Sequence, residues 1–90
     1  MEQEIRAMFA WTLEGEETAK QFGNQYSEAG MEVVFYGEAK EDELISLGKK
    51  EDMTHVLYFL DPKRLLLVSL ADEMGGFTVE VLVEELVIPG

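Results

Sequence analysis

Cysteine is absent from this chain of 90 residues, which excludes several kinds of chemistry at once. Without a thiol there is no disulfide, no thiolate nucleophile and no zinc or iron–sulfur cluster bound through sulfur. Histidine is represented by His55 alone. Its neighbours Met53, Thr54 and Val56 offer no carboxylate, whereas a general base needs an orienting partner within hydrogen-bond reach. We therefore predict that the protein is not an enzyme.

Long hydrophobic segments and targeting features are also missing. No apolar run approaches the roughly 20 residues that a membrane span needs. The acidic start, Met1–Ile5, resembles neither a secretion signal nor a mitochondrial one. We accordingly expect a cytoplasmic protein with no membrane partner, in a microbe or in a host cell in which a phage grows.

The glycine-rich signatures of nucleotide binding, GxGxxG and GxxxxGK[ST], do not occur. The first predicted strand-to-helix turn is where a phosphate would meet the N–H groups of a helix. That turn carries Glu14, Glu16 and Glu17, whose carboxylates would repel a phosphate. We predict no cofactor.

Basic residues are few. Nineteen acidic residues against seven basic ones give a formal charge of −12. A field of that sign repels nucleic acid and anionic membranes, so direct nucleic-acid binding is not expected, whereas a basic protein surface would be attracted. Because 47% of the residues are apolar, the chain has enough hydrophobic side chains to fold despite its charge. Its length predicts one domain, 1–90.

The first part of the chain predicts a strand, a helix and a second strand. Every second residue of Ile5–Leu13 is apolar, which is the period of a strand. Apolar residues in Glu16–Ala29 recur every three or four positions, which predicts a helix that ends at Gly30. Met31–Tyr36 is apolar on both faces, as in a covered central strand or a dimer. This opening resembles the β-α-β start of ferredoxin-like domains, which implies an architecture and not a function.

The remainder of the chain predicts a short second helix before Gly48 and strands at Thr54–Leu60 and Phe77–Val83. At Glu84–Glu85 the alternation slips, and a β-bulge would explain the slip. A helical interpretation of the stretch from Val79 to Leu86 is the alternative.

The segment after Asp61-Pro62 is compatible with two structures. A type I turn would pair Leu65–Leu70 with the preceding strand as a hairpin. An N-cap followed by proline would instead begin a helix, Pro62–Met74. The hairpin is favoured because Lys63 and Arg64 would lie at the wrong pole of a helix dipole.

We therefore predict an α+β fold, a two-layer sandwich with a mainly antiparallel sheet of about five strands and one or two helices on one face. The alternative is an α/β domain in which Pro62–Met74 is helical.

Acidic clusters are the candidate binding surface. Three interpretations are open: a solvated surface, a metal or hydrolytic site, and a surface that mimics nucleic acid. In size and charge, though in no motif, the chain is similar to small acidic phage proteins that block restriction or CRISPR enzymes. We predict an inhibitor or adaptor that binds a basic protein surface, and a homodimeric assembly module is the alternative. The predicted partner-binding residues are Glu41, Asp42, Glu43, Glu80, Glu84, Glu85, Tyr36 and Tyr58.

Overall fold

The computed structural model describes residues 5–70 and 76–86, in which five strands form one mixed sheet. The order of the strands across the sheet is β2-β1-β3-β4-β5. The strands are β1 (Arg6–Trp11), β2 (Glu32–Glu38), β3 (His55–Phe59), β4 (Arg64–Ser69) and β5 (Phe77–Leu82).

Two α-helices accompany the sheet within these ranges, α1 (Glu16–Glu28) and α2 (Leu44–Lys50). The α+β class and the number of strands are thereby confirmed, and α1 agrees with the helix predicted from the apolar period. Gly30 follows α1 with φ of +96°, as predicted for its C-terminal cap. Single 3₁₀ turns follow β1, β2 and β5, at Leu13–Gly15, Glu41–Glu43 and Val83–Glu85.

Strand pairing in the sheet is evenly mixed. β1 pairs in parallel with β2 and with β3, whereas β3–β4 and β4–β5 are antiparallel. The sequence predicted a mainly antiparallel sheet. The two parallel pairs arise because each of the first two connections contains a helix, which returns the chain to the end of the sheet where it started. The two strands of the β-α-β start pair directly, rather than being split as in ferredoxin-like domains.

The helices lie on opposite faces of the sheet, whereas the sequence placed them on one face. α1 and the sheet form the two predicted layers, around a core that includes Phe9, Tyr26 and Phe59. The shorter α2 covers the reverse face through Leu44, which packs with Met8 and other buried residues. β1 permits this arrangement because its alternate residues are apolar on both sides of the strand.

The hairpin interpretation of the segment after Asp61 is confirmed, and the helix Pro62–Met74 is wrong for its described part, because Arg64–Ser69 is β4. Residues 71–74 lie outside the described ranges. The Asp61 carboxylate accepts the N–H of Lys63 at 2.7 Å and that of Arg64 at 2.9 Å. These two hydrogen bonds close the turn that links β3 to β4.

The change of phase near the C-terminus has a cause other than the predicted bulge. Val83–Glu85 is a 3₁₀ turn, which rotates the side chains out of the strand alternation. The sheet does contain an irregularity in β2, where Phe9 is opposite Phe35 but Ala10 is opposite Gly37. Tyr36 is the extra residue at that point.

Candidate functional site

Four of the five strands point the same way. β1, β2 and β3 are parallel, and β5 runs with β3 because two antiparallel steps separate them. The segments that follow these strands therefore meet at one end of the sheet. We call this end the carboxyl rim. It comprises residues 12–17, 38–43, 60–63 and 83–85, and it is about 19 Å long because four inter-strand spacings separate β2 from β5.

The carboxyl rim is strongly acidic. Four cationic side chains lie on it or beside it, Lys20, Lys40, Lys63 and Arg64. In the described ranges, ion pairs neutralise two of its carboxylates, through Lys20–Glu16 at 2.8 Å and Arg64–Asp61 at 3.1 Å. The rim carries ten acidic residues: Glu14, Glu16, Glu17, Glu38, Glu41, Asp42, Glu43, Asp61, Glu84 and Glu85.

The middle of the rim is closed by packing. In open sheets, ligands commonly enter where the strand order reverses, which here is between β1 and β3. At that point Thr12 N–H donates to Phe59 O at 3.0 Å, and Thr12 Oγ1 donates to Leu60 O at 2.6 Å. Gly15 lies so close to Phe59 that a Cβ would overlap the Phe59 carbonyl. The rim is thus an acidic surface at this point and not a crevice.

The end of the rim at β2 is held to the sheet by hydrogen bonds. Tyr58 is only 4% exposed, and its hydroxyl donates to Ala39 O at 2.7 Å. Ala39 N–H donates to Trp11 O at 3.1 Å, which fixes the same residue from the other side. Lys40 N–H then donates to the Glu43 carboxylate at 3.2 Å, which begins the turn. We call residues 38–43 the acidic corner.

The charges of the acidic corner affect the titration of Tyr58, which lies beneath it. Burial raises the pKa of its hydroxyl, and the negative charges of the corner carboxylates raise the pKa further. All four carboxylates belong to residues 38–43, the segment to which this hydroxyl donates at Ala39. In the described ranges none of them belongs to an ion pair, and they are Glu38, Glu41, Asp42 and Glu43.

The other half of the predicted set lies at the opposite edge of the sheet. Glu80 is on β5, and its carboxylate is 3.6 Å from Arg64 Nη1, so its charge is partly offset. Glu84 and Glu85 are exposed on the 3₁₀ turn after β5. That turn is anchored where Val83 N–H donates to Lys63 O at 2.7 Å. The two predicted acidic clusters thus share one end of the sheet but not one corner.

The two predicted tyrosines have different positions. Tyr36 is 44% exposed beside the acidic corner and is accessible to a partner. Tyr58 is buried beneath the corner and supports it through Ala39, so it does not offer a contact surface. Sequence reasoning also missed five acidic residues of the same rim, Glu14, Glu16, Glu17, Glu38 and Asp61. The signal that could have found them was the acidic turn after each strand, combined with the parallel direction of those strands.

His55 lies at the opposite end of the sheet. Its Nδ1 is 2.8 Å from Thr54 Oγ1, and burial lowers its pKa. With Ala7, Leu57 and Leu67 it lines an apolar groove of about 270 Å³. In residues 5–70 and 76–86 no three acidic or histidine side chains are grouped as metal ligands. No helix in the same ranges has the length and apolarity to cross a membrane.

The sequence matches no protein-family model and no curated protein. Among solved structures, the fold is similar to part of a histidyl-tRNA synthetase from Nostoc sp. PCC 7120, with a TM-score of 0.67 and 16% identity. The match covers 92% of this chain and 21% of the synthetase, so the chain spans about a fifth of that protein's length. At this identity the similarity concerns the fold alone.

Proposed function

We propose that this protein is a non-enzymatic inhibitor or adaptor that binds a basic protein surface through its carboxyl rim. The observation that supports this most directly is the acidic corner. Its four carboxylates, Glu38, Glu41, Asp42 and Glu43, have no ion-pair partner in the described ranges, and backbone and tyrosine hydrogen bonds hold the segment that carries them. Because the backbone of this segment is already held, a partner has only its side chains to order, which lowers the entropic cost of binding.

The charge density of the rim favours a nucleic-acid-binding surface as the partner. B-DNA presents one negative charge per about 1.7 Å of its axis. Ten carboxylates along about 19 Å give one per about 2 Å, or one net charge per about 3 Å once the four cations are subtracted. A groove lined with lysine and arginine that binds nucleic acid would meet a comparable field here. A specific form of this proposal is a phage-encoded inhibitor that acts in the cytoplasm.

RNA itself is disfavoured as a ligand, although the fold is shared with part of a tRNA synthetase. The backbone phosphates of RNA would approach a surface of the same sign. Nucleic-acid binding draws its affinity largely from lysine and arginine contacts to phosphate, and the rim holds more than twice as many carboxylates as cations.

Two double variants of equal net charge test whether the rim is the binding surface. Glu41→Gln/Asp42→Asn removes two charges of the acidic corner, whereas Glu28→Gln/Glu51→Gln removes two exposed charges at the other end of the sheet. Both change the formal charge of −12 by two units. In the described ranges none of these four side chains forms an ion pair, so folding should be affected little.

The probe is a ten-residue oligolysine peptide, with affinity measured by fluorescence anisotropy at low and at physiological salt. We expect the corner variant to weaken binding roughly threefold to tenfold and the control variant to weaken it less than twofold. Equal losses in both variants would mean that the peptide responds only to net charge. Binding that is insensitive to salt would also contradict the proposal, because exposed charges are screened beyond about 8 Å at physiological ionic strength.

A further inference from the structure

Among the described residues, the outer side of β5 is a free edge of the sheet. β5 pairs with β4 through six consecutive residues without a register shift, and no described strand lies on its other side. In residues 5–70 and 76–86 no strand pairs with the backbone N–H and C=O groups on that side, so a strand of another chain can pair with them. Proteins usually prevent such pairing with lysine, proline, a bulge or several charges on the edge strand. β5 contains no lysine or proline, and its one charged residue is Glu80.

We propose that β5 pairs antiparallel with β5 of a second copy of this chain, which joins the two sheets into one of ten strands. The sequence of β5 selects the register. Residues opposite each other across an antiparallel pair lie on the same face of the sheet. The two-fold axis, which is perpendicular to the sheet, must therefore set one residue opposite its own copy. Thr78, Val79 and Glu80 are the central candidates.

The axis through Val79 gives the best pairing. Val79 then lies opposite its own copy, Phe77 opposite Val81, and Thr78 opposite Glu80, with the last two pairs occurring twice. Phe77 and Val79 are 52% and 42% exposed in the single chain, so both have surface to bury. Aromatic residues pair favourably with β-branched ones across strands.

The two neighbouring registers, with the axis through Glu80 or through Thr78, give less favourable side-chain pairs. An axis through Glu80 would set its carboxylate directly opposite that of the second copy, which is unfavourable. An axis through Thr78 would set Gly76, which has no side chain to pack, opposite Glu80. The strand is thus complementary to itself in one register, which argues for a second copy rather than an unrelated strand.

Charge also favours β5 as the place for self-association. A chain with a formal charge of −12 repels its own copies, so a contact between copies belongs where local charge is lowest. On β5 the only carboxylate is 3.6 Å from Arg64. Because the two β5 strands would be antiparallel, the two carboxyl rims would point in opposite directions and both would stay accessible.

Cysteine cross-linking tests the register, since the native chain has no thiol of its own. In Val79→Cys the two thiols would face each other across the axis, with Cα atoms about 4.5–5.5 Å apart, which lies within the range of about 4.4–6.8 Å that a disulfide requires. In the matched control Val81→Cys each thiol would lie opposite Phe77, and the two would be separated by four residues, or about 13 Å. We expect a disulfide-linked dimer from mild oxidation of the first variant only.

Sedimentation of two lysine variants tests the association itself. Val79→Lys would place two ammonium groups face to face at the axis, so we expect the dissociation constant of its dimer to be at least tenfold higher than that of the native dimer. Thr78→Lys would place each ammonium group opposite a Glu80 carboxylate, so its dimer should be at least as tight as the native one. Both positions are exposed, so the fold tolerates both changes.

A native protein that sediments as a monomer up to millimolar concentration would overturn the proposal, as would equal cross-linking at positions 79 and 81. An undiminished dimer of Val79→Lys would do the same. Both lysine variants add one positive charge, so they should bind the oligolysine peptide with equal affinity whether or not they dimerise. Failure of the dimer proposal is therefore distinguishable from failure of the proposed rim function.

Discussion

The β2 edge and the β5 edge of the sheet differ in cover, charge and regularity. β2 packs under α1 on one face, and an extra residue at Tyr36 interrupts its register with β1. It also carries Glu32 and Glu38 near its two ends. β5 is regular along its length, packs mainly against β4, and carries Glu80 as its one charged residue.

The two proposals assign different roles to the two edges. Bulges and charges on an edge strand discourage strand pairing. At β2 those same charges extend into the acidic corner, so the features that block a second sheet also build the surface proposed to bind a basic partner. At β5 both features are nearly absent, which leaves that edge suited to a second copy.

The largest effect is expected from a pair of glycine variants, one at each edge. Gly76 precedes β5 with φ of +90°, and a Cβ there would overlap the Ser69 carbonyl. Gly37 in β2 has φ of +117° but no atom within 4 Å of the same position. Gly76→Ala should therefore lower the free energy of unfolding by about 3–5 kcal/mol, and Gly37→Ala by about 1–2 kcal/mol. Urea denaturation measures both, and equal losses would show that close packing does not hold the start of β5.

A smaller effect is expected from removing the hydroxyl beneath the acidic corner. Tyr58→Phe leaves the Ala39 carbonyl without its 2.7 Å hydrogen bond, which should cost about 1 kcal/mol of unfolding free energy. Tyr36→Phe is the control, because that side chain is exposed and should change stability by less than about 0.5 kcal/mol. A Tyr58→Phe variant as stable as the control would contradict the role of Tyr58 in holding the corner.

The turn between β3 and β4 should make the stability of the fold depend modestly on pH. The backbone N–H of Lys63 and the contacts with Arg64 hold the pKa of the partly exposed Asp61 below its usual value. Because the folded pKa is the lower one, this contribution to stability is complete above the unfolded pKa of about 3.9 and is lost as pH falls through the folded pKa. Asp61→Asn keeps an oxygen acceptor for the turn but cannot ionise. Its urea midpoint should fall less between about pH 5 and pH 2 than that of the native protein, and parallel curves would refute the assignment.

The smallest effect concerns the titration of the buried Tyr58. Burial raises the pKa of this tyrosine, and the carboxylates of the acidic corner raise it further. Salt screens charges but does not change burial, so added salt should lower the pKa of Tyr58 and leave the part caused by burial. Carbon-13 NMR of the tyrosine rings can follow this residue separately. A pKa that does not change with salt would mean that the corner charges are not close to Tyr58.

Much of the local structure could be predicted because its signals lie between neighbours in sequence. The helix from Glu16, the cap at Gly30 and the turn at Asp61 each follow from residues within a few positions of one another. The candidate site could be predicted only in part. Acidic clusters are visible in the sequence, but Tyr58 resembled Tyr36 until packing showed one buried and the other exposed.

By itself the sequence determined the charge, the absence of thiol chemistry, and the positions of most helices and strands, because composition is a property of the sequence and periodicity depends on residues close together in it. Only the tertiary structure decided that β1 lies between β2 and β3, that α2 covers the face opposite α1, and that separate acidic turns meet on one rim. These features depend on which distant strands pair and in which direction. A strand such as β1, which is apolar on both faces, has a hydrophobic pattern that specifies neither its partner strands nor the direction of pairing.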